Sequence, residues 1–219
     1  MSNNGEKLRQ RRPCGYKFCR GTAGGCPHSL AKGQPILETI EGMVKEAIHV
    51  GMASDHKGHR ASHHPGLRLA LAACPNACTE PQTKDVGIIA IMIPTGVGQS
   101  CNGCGWCEKV CREEAIILVD GKAQILANRC VGCGQCINQC PERVIGSPGL
   151  RFRILVGGRM GRHPRWTEEL CIVDASAMVE TVRSLLNRIA RHARDGERTA
   201  NVVERIGVAG LRKEVFISV

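Results

Sequence analysis

Aromatic residues are scarce in this 219-residue chain: Phe, Trp and Tyr together make up 3% of it, with two Trp, one Tyr and three Phe. The side chains that usually fill a core are therefore few, and something else must help to hold the fold together. Long apolar runs are also missing. The longest, Val86 to Ile93, is far too short to span a bilayer. The start "MSNNGEKLRQRR" has no apolar stretch of the kind a secretory leader carries. What the chain has in excess is cysteine, fourteen in all. Without a leader, a disulfide scaffold is disfavoured, and clustered thiols in a reducing, cytoplasmic setting point to metal. The length allows one core with a small insert, in one or two domains.

The cysteines divide the chain. Residues 1–34 are basic and glycine-rich and contain Cys14, Cys19 and Cys26. From Pro35, the positions Ile36, Ile40, Met43, Val44, Ala47 and Ile48 recur at helical spacing until Gly51, which predicts a helix over 36–50. A polar loop, "DHKGHRASHHPG", follows. The run "LRLALA" suits a half-buried strand and "VGIIAIMI" one buried on both faces. Between them lie Cys74 and Cys78, two thiols that a tight turn can aim into one pocket.

The most specific signal is a duplicated run. "CNGCGWCEKVC" holds Cys101, Cys104, Cys107 and Cys111, and "CVGCGQCINQCP" repeats the spacing with Cys130, Cys133, Cys136 and Cys140. Three cysteines two residues apart wrap three corners of a [4Fe-4S] cube, and the fourth starts a short helix that carries it to the other cube. The expected sets therefore cross: Cys101, Cys104, Cys107 and Cys140 for one, Cys130, Cys133, Cys136 and Cys111 for the other. Zinc also favours such pairs, but four ligands in two pairs suffice for it and leave the duplicated run of four unexplained. Arg112 stands where such motifs usually carry proline. The segment from about Pro94 to Pro148 is predicted to be a bacterial-type ferredoxin module that passes electrons.

"CPNACTEPQTKDVGIIA" followed by this insert resembles the nitrite and sulfite reductase family, in particular its small, ferredoxin-containing members related to dissimilatory sulfite reductase. The resemblance implies a third [4Fe-4S] cluster held by an earlier and a later cysteine pair, whose last thiolate also ligates the iron of sirohaem. The later pair is Cys74 and Cys78, with Cys78 the bridging candidate. The earlier pair is most like Cys19 and Cys26, separated by six residues where the family has five, and Cys14 is a second candidate for it. "RILVGGRMGRHPRW" is similar to the basic, glycine-rich segment that follows the insert in these proteins, making Arg153, Arg159, Arg162 and Arg165 candidate contacts for sirohaem or substrate. That segment is expected to lead into helices from about Thr167, an N-cap, with an apolar stripe of Met178, Val182, Leu185, Leu186 and Ile189. Cys171 reads as a small core side chain.

The resemblance implies an α+β fold: a sulfite reductase-like sirohaem/[4Fe-4S] domain made of residues 1–93 and 149–219, interrupted by the ferredoxin lobe at 94–148. Strands are expected near 67–72, 86–93 and 152–157 and helices near 36–50 and 176–194. Full-length relatives carry a further domain before the first cysteine pair. This chain begins a dozen or so residues before Cys14, so a sirohaem pocket would be completed by another subunit or be absent, leaving a three-cluster electron carrier. The formal net charge of +10 suits an oxyanion substrate, a carboxylate-rich macrocycle or an acidic electron-donor protein. Few aromatics and no recognition motif argue against nucleic acid. His28, His163 and Lys84 lie in the segments that resemble cofactor sites, whereas His56, His59, His63 and His64 share a polar loop whose simplest reading is solvated imidazoles.

Overall fold

The computed structural model describes residues 14–32, 39–40, 42, 67–194 and 197–216. Most of the helix expected over 36–50 and the whole histidine loop lie outside these residues. Ile40 is described and is fully buried in the main core.

A five-stranded mixed sheet organises the chain. Its strands are β1 (Cys14–Phe18), β2 (Leu67–Ala72), β3 (Val86–Ile91), β8 (Arg151–Val156) and β9 (Glu168–Asp174), hydrogen-bonded in that order. The first two pairings are parallel and the last two antiparallel. Because β2 and β3 run the same way, residues 73–85 form a crossover and not a hairpin turn. The carboxyl ends of β1, β2 and β3 consequently share one edge, the place where open sheets with parallel strands present their sites.

Alternation along the strands builds two faces. Leu67, Leu69, Leu71, Val86, Ile88, Ala90, Phe152, Ile154 and Val156 point to one face and pack there with Met178, Val182, Leu185, Leu186 and Ile189. Those five belong to α3 (Ala175–His192), whose apolar stripe is thus core, as its period requires. Two shorter helices, α4 (Thr199–Ile206) and α5 (Val208–Phe216), complete this layer. On the opposite face Ile89, Ile91 and Leu155 form a smaller cluster with Ala77, Ile93 and Ile172.

The helix expected from about Thr167 starts later. Residues 168–174 form β9, and the helix begins only at Ala175, with Asp174 in the N-cap position. Pairing with β8 outweighs the capping signal at Thr167, since Leu170 and Val173 bury against the core while Ile172 serves the other face. A bulge between Ile154 and Leu155 accommodates the change.

The crossover lies tightly on β3. A Cβ added at Gly87 would stand 2.5 Å from the Pro81 carbonyl oxygen, a backbone atom that cannot swing aside. Gly87→Ala is expected to destabilise the chain by roughly 1–3 kcal/mol through overpacking, read as a lowered midpoint in chemical denaturation.

Residues between β3 and β8 make a separate small layer. It contains the antiparallel pair β4 (Gly96–Val97) and β7 (Ile145–Gly146), the hairpin β5 (Ile116–Val119) with β6 (Lys122–Ile125), and two one-turn helices, α1 (Trp106–Val110) and α2 (Gln135–Gln139). Its own core is Cys107, Ile116, Ala123, Cys136 and Ile145. The thiols take the place that large apolar side chains occupy elsewhere, which answers the scarcity of aromatics.

Candidate metal centres

The two cysteine runs fold as near-copies. Gly103 and Gly132 adopt φ +69° and +76°, Gly105 and Gly134 +72° and +68°, and Glu114 and Arg143, each three residues past the last cysteine of its run, +50° and +51°. Left-handed backbone at matched positions curls each loop around its own centre and opens the following helix. At Gly103 the requirement is double, because a Cβ would also clash with the Gly121 carbonyl oxygen.

Two pockets result. One, with about 340 Å³ of empty space counted out to its mouth, is lined by Cys101, Cys104, Cys107 and Cys140. The other, of about 360 Å³, is lined by Cys111, Cys130, Cys133 and Cys136. Each pocket thus takes three thiols from one run and the last from the other. Ile116, Ala115 and Ile125 wall the second pocket and Val97, Leu118, Ala123 and Ile145 the first.

A third gathering of thiols stands at the carboxyl edge of the parallel strands. Pairing of Phe18 with Leu71 sets Cys19 beside β2, where the Ala73 amide donates to its Sγ at 3.2 Å. The Leu30 amide donates to the Ala73 carbonyl at 2.8 Å, which ties the loop containing Cys26 to the same edge. Cys74 follows Ala73, and Ala77, at φ +51°, turns the chain before Cys78. Cys74 is buried, Cys19 and Cys26 half-buried and Cys78 exposed. Cys14 begins β1, and its side chain lies outside the described set.

The electrostatics of the three sets agree. Each contains one buried thiol, and burial is the main force raising its pKa. Cys136 is pushed up to about 12 by burial, with Cys133, Cys130 and Cys111 adding to the effect. Burial also raises Cys107, assisted by Cys101 and Cys104. At the third site burial raises Cys74, and Cys19, Cys26 and Cys78 add to it. Cys101 moves the other way, held down by the amides of Ala123 and Gly103. Iron takes the thiolate. A set in which neighbouring thiolates oppose ionisation of the buried member fits a multinuclear cation, which neutralises the thiolates and relieves that repulsion. Among the described residues no three His, Cys, Asp or Glu side chains converge closely enough for a single metal ion. A cube, with a thiolate at each of four separate iron corners, asks for wider spacing.

Amides aimed at sulfur complete the match, since N–H donation to the ligating sulfurs is a means of tuning potential. Ala115 donates to Cys111 Sγ at 3.3 Å, and the amides of Asn76, Glu108 and Ile137 serve Cys74, Cys107 and Cys136.

The four arginines singled out in the sequence occupy different surroundings. Arg153 Nε lies 2.8 Å from Glu169 Oε2, an ion-pair distance out of line for a hydrogen bond. Arg159 donates to the His163 carbonyl and to Asn201 and lies 3.7 Å from Glu204. Arg165 donates to the Ala200 carbonyl and pairs with Glu168 and Glu204. These contacts pin the β8–β9 connection to α4, while Arg162 and His163 stay exposed. Lys84 pairs with Glu80 at 3.2 Å, and His28 is exposed. Cys171 packs on the main core and burial raises it to about 11.

Sequence reasoning missed Asp85, buried at the end of the crossover. It accepts from the Arg68 amide at 2.8 Å and lies 3.3 Å from Arg68 Nε; burial raises its pKa and Arg68 opposes that rise. An acidic residue at the entrance of an all-apolar strand was the available signal.

The thiol sets are those of an iron–sulfur protein, and its relatives place it among the 4Fe-4S oxidoreductases. The sequence profile of the nitrite and sulphite reductase 4Fe-4S domain family matches residues 17–218, and the chain belongs to that family. It is 33% identical over 151 residues to the coenzyme F420-dependent sulfite reductase of Methanocaldococcus jannaschii, a match covering 68% of this chain and 24% of that protein. It is 35% identical over 60 residues to one subunit of the anaerobic sulfite reductase of Salmonella typhimurium, covering 26% of this chain and 18% of that subunit. The chain thus aligns with about a quarter or less of these relatives' lengths. The crystal structure of dissimilatory sulfite reductase I shares the fold, with a TM-score of 0.59 at 16% identity, over 91% of this chain and 51% of that one. Among the described residues no helix is long and apolar enough to cross a membrane.

Proposed function

We propose that the chain holds three [4Fe-4S] clusters and passes electrons through two of them, in a bacterial-type ferredoxin insert spanning 94–148, to the third. The ligand sets are Cys101, Cys104, Cys107 and Cys140; Cys111, Cys130, Cys133 and Cys136; and Cys19, Cys26, Cys74 and Cys78. The observation that carries this reading is the crossed lining of the two pockets, each with three cysteines of one run and the last of the other. Bound clusters supply one-electron storage. The chain's part is to exclude water with apolar walls, to aim amides at sulfur and to fix the spacing between sites.

Beyond the third set, the reading extends to sirohaem ligated through Cys78 and to reduction of sulfite or nitrite at its iron. Support comes from the exposure of Cys78, which leaves its sulfur open to a second metal, and from the sulfite reductases among the relatives. Of the four arginines singled out in the sequence, Arg162 is the exposed one, and in this reading it is the one open to an anionic group. A second reading, an electron-transfer subunit without sirohaem, is favoured by the internal ion pairs that engage Arg153, Arg159 and Arg165. In both readings a donor protein or larger complex supplies electrons, as the relative described as a subunit suggests.

The two readings separate on one preparation. Protein purified anaerobically from a host that makes sirohaem is expected to show sharp isobacteriochlorin bands and to turn over sulfite or nitrite with a reduced dye. A broad brown spectrum without macrocycle, and no turnover, assigns the electron-carrier role.

A further inference from the structure

The two pockets are alike in lining but not in place. The loop of the second run is fastened to the end of β3: the Met92 amide donates to the Gly132 carbonyl at 2.7 Å, and Met92 and Cys133 form a parallel bridge. The approach is close. A Cβ at Gly132 would meet Ile93 Cγ1 at 3.1 Å and Ile91 Cβ at 3.2 Å, and one at Gly134 would meet Met92. Ile91 and Ile93 belong to the same apolar cluster as Ala77, the residue before Cys78. One apolar layer, with Ile91, Ile93 and Ala77 in it, thus joins the strand end that holds the Cys133 loop to the residue before Cys78. The pocket of Cys101, Cys104, Cys107 and Cys140 touches none of it. Its walls come from β4, the β5–β6 hairpin and the segment 140–145, its Cys104 is exposed, Leu118 is exposed in its wall, and Trp106 and Val119 are exposed next in sequence to its lining residues Gly105 and Leu118.

We infer from this geometry a fixed order of electron transfer: in at the outer pocket of Cys101, Cys104, Cys107 and Cys140, on to the inner pocket of Cys111, Cys130, Cys133 and Cys136, then across the Ile91–Ile93 layer to the Cys78 site. The inference rests on the three-cluster reading. Each step moves one electron. The outer group is oxidised as the inner is reduced, and the inner is reoxidised as the third site is reduced; no bond is made or broken. A low-potential one-electron donor restores the outer group. Ile91 and Ile93 act as positioning residues, since a packed hydrocarbon layer fixes both the separation and the quality of the medium between inner and third sites.

The test uses the full chain with its clusters in place, reduced with dithionite, and reads magnetic coupling between the sites by electron paramagnetic resonance. Removal of the outer group with Cys101→Ala plus Cys104→Ala is expected to leave the coupling felt by the third site intact. Removal of the inner one with Cys130→Ala plus Cys133→Ala is expected to reduce it several-fold. Coupling that survives loss of the inner group, or that vanishes with the outer, overturns the order. Should either pair unfold the lobe, Ile93→Ala keeps every ligand. It is expected to slow photoinduced electron arrival at the third site several-fold with iron content unchanged, and an unchanged rate overturns the role of the layer. Iron and sulfide well short of three clusters in the unaltered chain contradicts the reading beneath; a full count with the wrong coupling contradicts the order alone.

Discussion

Cys140→Ala is expected to strip the cluster from the pocket of Cys101, Cys104 and Cys107, although Cys140 belongs to the other run, and Cys111→Ala is expected to strip the one at Cys130, Cys133 and Cys136. The reason is where each run sends its last thiol. α1 and α2 each begin just after the left-handed Gly105 or Gly134 and end where Cys111 and Cys140 take up extended backbone, so each helix carries its final cysteine out of its own loop. Each substitution should remove about four of roughly twelve irons, and the signal that persists should belong to the distant triplet. Cluster binding and folding are coupled in small metal-bearing units, so the emptied half should also lose protection from hydrogen exchange. Uncrossed sets would give the reverse pairing of lost ligand and lost signal, which labelled-cysteine accessibility distinguishes: after Cys140→Ala, alkylation should reach Cys101 and Cys104 and spare Cys130.

The second large effect is expected at the carboxyl edge of the sheet. Cys74→Ala should abolish the third cluster outright, because it deletes the buried ligand about which Cys19, Cys26 and Cys78 gather. Cys78→Ser should do so as well, together with any sirohaem, while both signals of the lobe remain measurable. The lobe has its own apolar cluster and does not draw on Cys74 or Cys78 for its packing. Denaturation should show an effect too. Cys74 belongs to the crossover that covers β3, and loss of the cluster would untie that crossover from the Cys19 and Cys26 segment, so the sheet domain should unfold at lower denaturant while the lobe clusters bleach at their usual point. Persistence of all three signals in Cys74→Ala would remove the third site from the account.

Much of this arrangement was legible because spacing is local. The x2 triplets, the fourth cysteine and the glycines between them predict two curled loops and a crossing with no knowledge of the rest, and strands at 67–72 and near 86–93 announced themselves by apolar runs, the second ending at Ile91. What was not legible is what depends on pairing partners far away in sequence. Cys19 meets Cys74 because β1 pairs in parallel with β2, yet β1 is a short, glycine-containing segment with weak alternation. The seven residues of β9 carry two adjacent glutamates and follow a good capping threonine; only pairing with β8 makes them a strand. The arginine-rich segment 153–166 reads as a ready anion site, but the sequence could not reveal that Glu168, Glu169 and Glu204 come back to meet three of its guanidinium groups. Charge was likewise uneven in a way the total conceals. The segment 94–148 carries five basic and five acidic residues, so the whole net charge of +10 lies outside it. An electron donor steered by charge is drawn to the sheet domain or the N-terminal segment, whereas contact at the outer pocket relies on apolar surface.

The central claim is that three thiol sets hold three cubes. Iron and acid-labile sulfide per chain, measured on anaerobically purified protein, test it most directly. Three cubes hold about twelve of each, with one further iron if sirohaem is bound. A chain that saturates at about eight, with Cys74 and Cys78 alkylated as readily as free thiols, would leave the carboxyl edge of the sheet without its cluster and contradict it.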